Sequence, residues 1–157
     1  MPVRPPRQSK EPGDPKARAI KLLARREHSA RELKRKLEAR GIGEEQASAA
    51  VAELNREGWQ SDERYAEMLV RSRISQGFGP VRIAAELKMA GVPAEQSRSA
   101  LEQAGADWRA LAVEVQAKHF ADLPKSSAER AKQYRYLQGR GFDSSQIESA
   151  LKGDVDE

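Results

Sequence analysis

The sequence predicts an all-α protein made of three tandem three-helix repeats in an elongated, curved array. The first observation behind this fold class is that the chain resembles itself when it is shifted by fifty residues. The second is that most glycines fall where apolar helical stripes end. Hydrophobic residues make up 38% of the chain and aromatic residues only 5%, which favours helices that each bury one stripe.

The fifty-residue repeat keeps six positions over three copies without a gap. Each copy has a leucine, then a glycine followed by an apolar residue, then a glutamine, an alanine and a last apolar residue. The copies begin at Leu37, Leu87 and Leu137 and end at Val51, Leu101 and Leu151. We therefore expect repeats over residues 14–58, 59–105 and 106–153, a disordered basic leader at 1–13, and an acidic tail at 154–157.

Capping residues divide each repeat into three helices. In the first repeat, Asp14 before Pro15 starts one helix, and Ser29 with Glu32 forms a capping box for the next. Equivalent starts in the other repeats are Ser61, Gly79, Pro93, Asp107, Ser126 and Asp143. The glycines predicted to follow helix ends are Gly41, Gly58, Gly77, Gly91, Gly105, Gly141 and Gly153. Trp59 and Trp108 begin the second and third repeats, where we expect them to pack between repeats.

The composition argues against catalysis. The chain has no cysteine, which excludes disulfides and thiolate sites and is compatible with a reducing cytoplasm. His28 and His119 lie in different repeats, so we expect no metal site and assign His28 a packing or capping role. The isolated glycines form no phosphate-binding loop. We therefore expect no enzyme activity, no cofactor and no small-molecule substrate, and no membrane span, since no apolar run approaches about 20 residues.

Basic charge is concentrated in residues 16–40, which hold ten basic residues against three acidic ones, a net charge of +7. A field this one-sided favours a polyanionic partner, although a solvated helix face is an equally weighted alternative. The candidate partner-binding residues of this segment are Arg25, Arg26, Arg31, Lys34 and Arg35.

Weaker candidates lie in the other two repeats. They are Arg71, Arg73 and Arg82 in the second repeat, and Lys132, Arg135 and Arg140 in the third. Structural or solvating roles are favoured for these residues, because acidic residues balance the charge of those in the second repeat and those in the third repeat lie along one helix. The stretch RYLQGRGF (135–142) also has the composition of an RNA-binding tail, but its glycines are explained by a helix end.

Four stretches carry a family resemblance when they are taken together. They are RREHSARELKRKL (25–37), SDERYAEMLVRSR (61–73), GFGPVRIAAELKMAGV (77–92) and RYLQGRGF (135–142). Each would be a weak signal alone, but all four occur in order on a three-repeat helical frame. In this combination the chain resembles the RecX family, regulators of the bacterial recombinase RecA, over about residues 17–152. We call these four the family stretches.

The resemblance implies a small cytoplasmic protein that is not an enzyme. Such a protein would bind the RecA–DNA filament in its helical groove and inhibit strand exchange, ATP hydrolysis and repressor cleavage, with direct DNA contact as a further property of some members. It would thereby modulate DNA recombination, DNA repair and the SOS response. Two alternatives remain open: a sequence-neutral DNA-binding protein that competes for the strand, and a structural adaptor of another assembly.

Overall fold

The computed structural model describes residues 13–152, in which it shows nine α-helices and no strand. The helices are α1 (Pro15–Arg25), α2 (Ala30–Ala39), α3 (Glu44–Arg56), α4 (Asp62–Ser75), α5 (Pro80–Met89), α6 (Ala94–Gln103), α7 (Trp108–His119), α8 (Ser127–Gly139) and α9 (Ser144–Lys152). The all-α prediction with three helices per repeat is confirmed. Apart from Gly13, the predicted leader lies outside the described residues, as do Gly153 and the acidic tail. No helix in the described part is long and apolar enough to cross a membrane.

Local capping explains where the helices begin and end. Side-chain oxygens of Asp14, Ser29, Asp107 and Ser126 accept backbone N–H groups at the starts of α1, α2, α7 and α8, as predicted. At α9, Asp143 and Gln146 accept each other's backbone N–H groups at 2.9 Å, which completes a reciprocal capping box. The six described glycines predicted to follow helix ends all have φ between +60° and +98°.

Each repeat builds its own hydrophobic core around the positions that recur in the sequence. Leu37, Leu87 and Leu137 are fully buried at 0% exposure, at equivalent points of the three cores. The apolar residues that follow the glycines, Ile42, Val92 and Phe142, are buried as well. The fifty-residue repeat is therefore a repeat of core positions.

The chain divides into two compact units, one ending at Asp62 and one beginning at Glu63. The first unit contains the first repeat and residues 59–62, and the second contains the rest of the second repeat and the third. Trp108, the first residue of α7, packs against the core of the second repeat, which confirms its predicted role. Trp59 is 52% exposed, and its packing between repeats stays a prediction.

Candidate partner-binding surface

The basic residues of α1 and α2 in the first unit face in two directions. One group lines a groove of about 750 Å³ between the two helices, with an apolar floor that includes Leu22, Leu37 and Ala39. We call this the basic groove; its cationic residues are Arg18, Lys21, Arg25, Lys36 and Arg40. Asp14 is the one acidic residue among the described residues that line it, and its carboxylate caps α1.

Helical spacing explains how these cations reach one groove. Arg18, Lys21 and Arg25 are three and four residues apart and share one face of α1, while Lys36 on α2 is four residues before Arg40, which caps the end of that helix. Only Arg25 of the predicted site residues lies here. The prediction missed Arg18 and Lys21, which the i, i+3, i+7 spacing with Arg25 along α1 indicates, and it missed Lys36 and Arg40, which lie on another side of α2 from Arg31 and Arg35.

The outer face of α2 is less strongly basic than its sequence indicates. The Lys34 ammonium lies 3.7 Å from the Glu38 carboxylate and 3.3 Å from that of Glu44. Arg31 and Arg35 are exposed, and Arg35 makes no ion pair with another residue in the described range. The predicted cluster therefore exists as a face of α2, but Lys34 is partly neutralised within it.

Arg26 is used inside the first unit. Its guanidinium donates to both carboxylate oxygens of Glu32 at 2.9 and 2.8 Å, and to the carbonyl oxygen of Glu27 at 2.9 Å. Burial raises the pKa of Glu32, but the hydrogen bond and the charge of Arg26 outweigh it, so the pKa lies below its usual value. Arg26 thereby holds the first turn of α2 against the end of α1.

His28 is buried at 2% exposure beside that turn. Its Nδ1 lies 2.9 Å from the Arg26 carbonyl oxygen, and its Nε2 lies 3.0 Å from the Lys36 ammonium nitrogen. Because a carbonyl only accepts and an ammonium only donates, Nδ1 carries the proton and the ring is neutral. Burial is the main cause that lowers the pKa of His28, and the charges of Arg26 and Lys36 act in the same direction.

The first two family stretches meet at this point. The Gln60 side-chain amide donates to the His28 carbonyl oxygen at 3.2 Å and to the Asp62 carboxylate at 3.0 Å. The same Asp62 oxygen accepts the Ala30 backbone N–H at 2.8 Å, at the start of α2. We call the contacts among His28, Ala30, Gln60 and Asp62 the N-terminal junction. The predicted packing or capping role of His28 fits this arrangement.

The other two family stretches meet within the second unit. The backbone N–H groups of Gly79 and Val81 donate to the carbonyl oxygens of Arg140 and Gly141, both at 2.9 Å. The Phe78 ring lies between two guanidinium groups, with the Arg82 carbon 3.9 Å and the Arg140 carbon 3.8 Å from its centre. We call this set of contacts the C-terminal junction.

Two glycines make that approach possible. A Cβ added to Gly79 would overlap the Gly141 carbonyl group, and one added to Gly141 would overlap the backbone and Cβ of Arg82. Gly141 also has a φ of +98°, which other residues rarely adopt. The Arg140 guanidinium donates to the carbonyl oxygens of Gln76 and Gly77, which fixes it at the junction.

The remaining predicted site residues are dispersed over the second unit. Arg73 is paired with Glu86, its Nε lying 2.9 Å from a carboxylate oxygen. Arg71, Lys132 and Arg135 are exposed and make no ion pair within residues 13–152. A partner contact by any of these residues stays a prediction. In the same range, no group of three or more His, Cys, Asp or Glu side chains is placed to hold a metal ion.

Comparison with known proteins identifies the family to which the chain is similar. Residues 16–54 match the model described as RecX, first three-helix domain; residues 61–101 match the second three-helix domain, and residues 107–151 the third. A protein named Regulatory protein RecX from Stenotrophomonas maltophilia (strain R551-3) is 44% identical over 144 residues, covering 91% of this chain and 88% of that protein. One of the same name from Chromohalobacter salexigens is 44% identical over 143 residues, covering 91% and 94%.

Solved structures agree on the fold. The crystal structure of RecX from Lactobacillus salivarius superposes with a TM-score of 0.74, covering 90% of this chain and 94% of that one at 20% sequence identity. A second crystal structure, of a regulatory protein RecX, gives a TM-score of 0.73 at 23% identity, covering 91% of this chain and 74% of that one. With its three matched domains and its curated relatives, the chain belongs to the RecX family of regulatory proteins.

Proposed function

We propose that this protein is a non-enzymatic regulator that binds the RecA–DNA filament in its helical groove. It inhibits the recombinase, ATPase and coprotease activities of the filament and so modulates recombination and the SOS response in the cytoplasm. The observation that carries the proposal is the family match across all three repeats, with relatives named as regulatory proteins at 44% identity.

The charges of the first unit support a partner that is partly nucleic acid. Five cationic residues line the basic groove, and Arg31 and Arg35 add further exposed charge on α2. Such a field favours association with a polyanion over the capture of a small neutral ligand. The filament offers both a phosphate backbone and protein surface to such a field.

The contacts made by the His28, Arg26 and Arg140 side chains support a protein that acts by binding. His28 is buried and satisfied on both ring nitrogens, while Arg26 and Arg140 hold carbonyl groups or carboxylates of the fold. These groups stabilise helix starts and repeat contacts, so they are not positioned to exchange protons with a substrate.

The test is DNA-dependent ATP hydrolysis by RecA, titrated with this protein from substoichiometric to equimolar amounts. We expect the wild type to suppress ATP hydrolysis. The triple variant Arg31→Glu/Lys34→Glu/Arg35→Glu should need a concentration about tenfold or more higher for the same suppression. The control Lys88→Glu/Arg98→Glu/Lys118→Glu makes the same charge change at exposed residues of the second unit that have no ion pair within the described range. It should inhibit like the wild type.

Two results would reject the proposal. One is the absence of suppression over a wide concentration range. The other is inhibition that excess DNA relieves in proportion to the free strand, which would favour the alternative of a sequence-neutral DNA-binding protein that competes for the strand.

A further inference from the structure

We propose that the exposed face of α5 is a docking surface for an amphipathic α-helix of a second protein partner, one that carries acidic residues beside its apolar stripe. The inference goes beyond the proposed function, since this partner is distinct from the filament. Its test contains neither recombinase nor DNA, so either proposal can fail while the other holds.

The first argument is a row of exposed apolar side chains along α5. Val81, Ala85 and Met89 follow each other at intervals of four residues, so they share one side of the helix over about 12 Å of its axis. Val81 is 56% exposed and Met89 is 75% exposed, and Ala85 between them is exposed as well. Single exposed apolar residues are common on protein surfaces, but a continuous row on one helix face indicates an interaction surface. We call this row the α5 stripe.

The second argument is that the other two repeats carry different residues at the equivalent positions, which a shift of fifty residues identifies. All six equivalent residues are exposed, and they are Arg31, Arg35 and Ala39 on α2, and Ala131, Arg135 and Gly139 on α8. The exposed face of the middle helix is therefore basic or small in the first and third repeats and apolar in the second. Since the fold does not require apolar residues at these positions, a partner of different chemistry explains them in the second repeat.

The third argument concerns the shape of the partner. Residues at intervals of four form a ridge on a helix surface, and such a ridge packs into the groove between the corresponding ridges of another helix. Met89 adds a flexible thioether side chain to one end of the ridge, and methionine adapts well to irregular protein surfaces. A helix that presents its own apolar residues three and four positions apart therefore fits this face.

The fourth argument concerns the charge of the partner. Since successive helical residues are about 100° apart, Arg82 and Lys88 lie on opposite sides of the α5 stripe. Both are exposed, and neither makes an ion pair with another residue in the range 13–152. Glu86 is the one acidic residue of α5, and its carboxylate pairs with Arg73. Carboxylates on both sides of the partner's apolar stripe would therefore meet positive charge that α5 does not balance.

A second copy of the chain fits this face less well. Two α5 helices packed against each other would bring the Arg82 and Lys88 cations of both copies together, and these charges would repel each other. Three side chains over about 12 Å of helix also cover much less than the roughly 800 Å² per partner of a standard stable interface.

The experiment measures the fluorescence anisotropy of a labelled peptide of about 18 residues, with leucines three and four positions apart, glutamates beside them and alanines elsewhere. A peptide of the same composition in scrambled order, which cannot form one apolar face, is the negative probe. We expect the wild type to bind the amphipathic peptide with a Kd of about 100 µM or lower, and the scrambled peptide about tenfold or more weakly. In nitrogen-15 NMR spectra, the amide shifts caused by the peptide should be largest within α5.

The variant Ala85→Glu places a carboxylate in the middle of the α5 stripe, where it would repel the glutamates of the peptide, and it should bind about tenfold or more weakly. Ala131→Glu is the matched control, since it makes the same substitution at an exposed residue of α8 in the same unit. It should change the affinity by less than about twofold. Val81→Gln is a second variant that removes apolar surface without adding charge, and it should bind about threefold more weakly. Circular dichroism should show unchanged helical content in all three variants.

Four outcomes would overturn the inference: no binding of the amphipathic peptide by the wild type, equal binding of the scrambled peptide, equal decreases in affinity for Ala85→Glu and Ala131→Glu, or amide shifts that lie mainly outside α5. Self-association of the wild type that Ala85→Glu abolishes, measured by analytical ultracentrifugation, would also overturn it and would assign the α5 stripe to a second copy of the chain.

Discussion

The N-terminal and C-terminal junctions can be compared because each joins two family stretches and supports the start of a middle helix. At the N-terminal junction, the Asp62 carboxylate accepts the Ala30 N–H at the start of α2. At the C-terminal junction, the N–H groups of Gly79 and Val81 donate to carbonyl oxygens that follow α8. Both arrangements satisfy backbone groups that a helix end leaves without an intrahelical partner.

The difference lies in the groups that supply the partners. Polar side chains build the N-terminal junction, so its strength depends on one carboxylate and on the protonation of His28. Backbone groups build the C-terminal junction, so it tolerates pH changes but not an added side chain at Gly79 or Gly141. The comparison teaches that two sequence motifs of one family can meet either through side-chain chemistry or through close backbone approach, and three experiments separate the two.

The largest effect is expected from Gly141→Ala in the C-terminal junction. The left-handed φ alone costs about 1–2 kcal/mol, and the overlap with Arg82 adds about 1–3 kcal/mol. Gly105→Ala is the control in the same unit, because Gly105 has a φ of +60° but a Cβ added there would meet no atom within 4 Å. Urea unfolding should show a decrease in the free energy of unfolding that is about 1–3 kcal/mol greater for Gly141→Ala than for the control. Equal decreases would mean that the close approach of Gly141 to Arg82 does not affect the free energy of unfolding.

A smaller effect is expected from Asp62→Ala in the N-terminal junction. The change leaves the Ala30 N–H and the Gln60 amide without their acceptor, which costs about 1–3 kcal/mol. Asp62→Asn keeps an oxygen that can accept these bonds and should destabilise the fold by less than about 1 kcal/mol. Hydrogen exchange of the Ala30 amide is the direct measurement, since it should accelerate in the alanine variant. Unchanged protection there would show that Asp62 does not cap α2 in solution.

The smallest effect is a pH dependence from His28. Its pKa is lower in the folded state than the ordinary value near 6.5, so the unfolded chain takes up a proton first as pH falls. The stabilisation from the neutral ring is complete above about pH 6.5 and decreases below it, by at most about 1.4 kcal/mol per pH unit. Urea unfolding between about pH 7.5 and 5.5 should show this slope in the wild type and a flatter one in His28→Gln. Parallel slopes would exclude His28 as the cause.

Local physical chemistry made most of the fold predictable. The side-chain oxygens of Ser29 and Ser126 each accept the backbone N–H of the residue three positions later. Leu37 and Ile42, before and after a turn, both belong to the core of the first repeat. Such short-range rules need no knowledge of the rest of the chain. These rules do not extend to the burial of a large aromatic residue at a repeat boundary, such as the half-exposed Trp59, because that burial depends on whether a neighbouring surface covers the side chain.

The candidate site was predicted only in part. The sequence identified the strongly basic segment, because charge density is a local property. It did not separate Arg25, which lines the basic groove, from Arg26, which pairs with Glu32 one residue later. Arg25 is the last residue of α1, whereas Arg26 follows it in an extended conformation, so helical spacing does not determine where the Arg26 side chain lies.

The sequence by itself determined the helices, their ends, the repeat of core positions and the sign of the charge in the first unit, because each depends on residues a few positions apart. Only the tertiary structure decided which cations share a groove, that Arg140 serves the fold, and that Gly79 must lie against Gly141. The physical reason is that these features depend on contacts between residues up to about sixty positions apart, which no local spacing specifies.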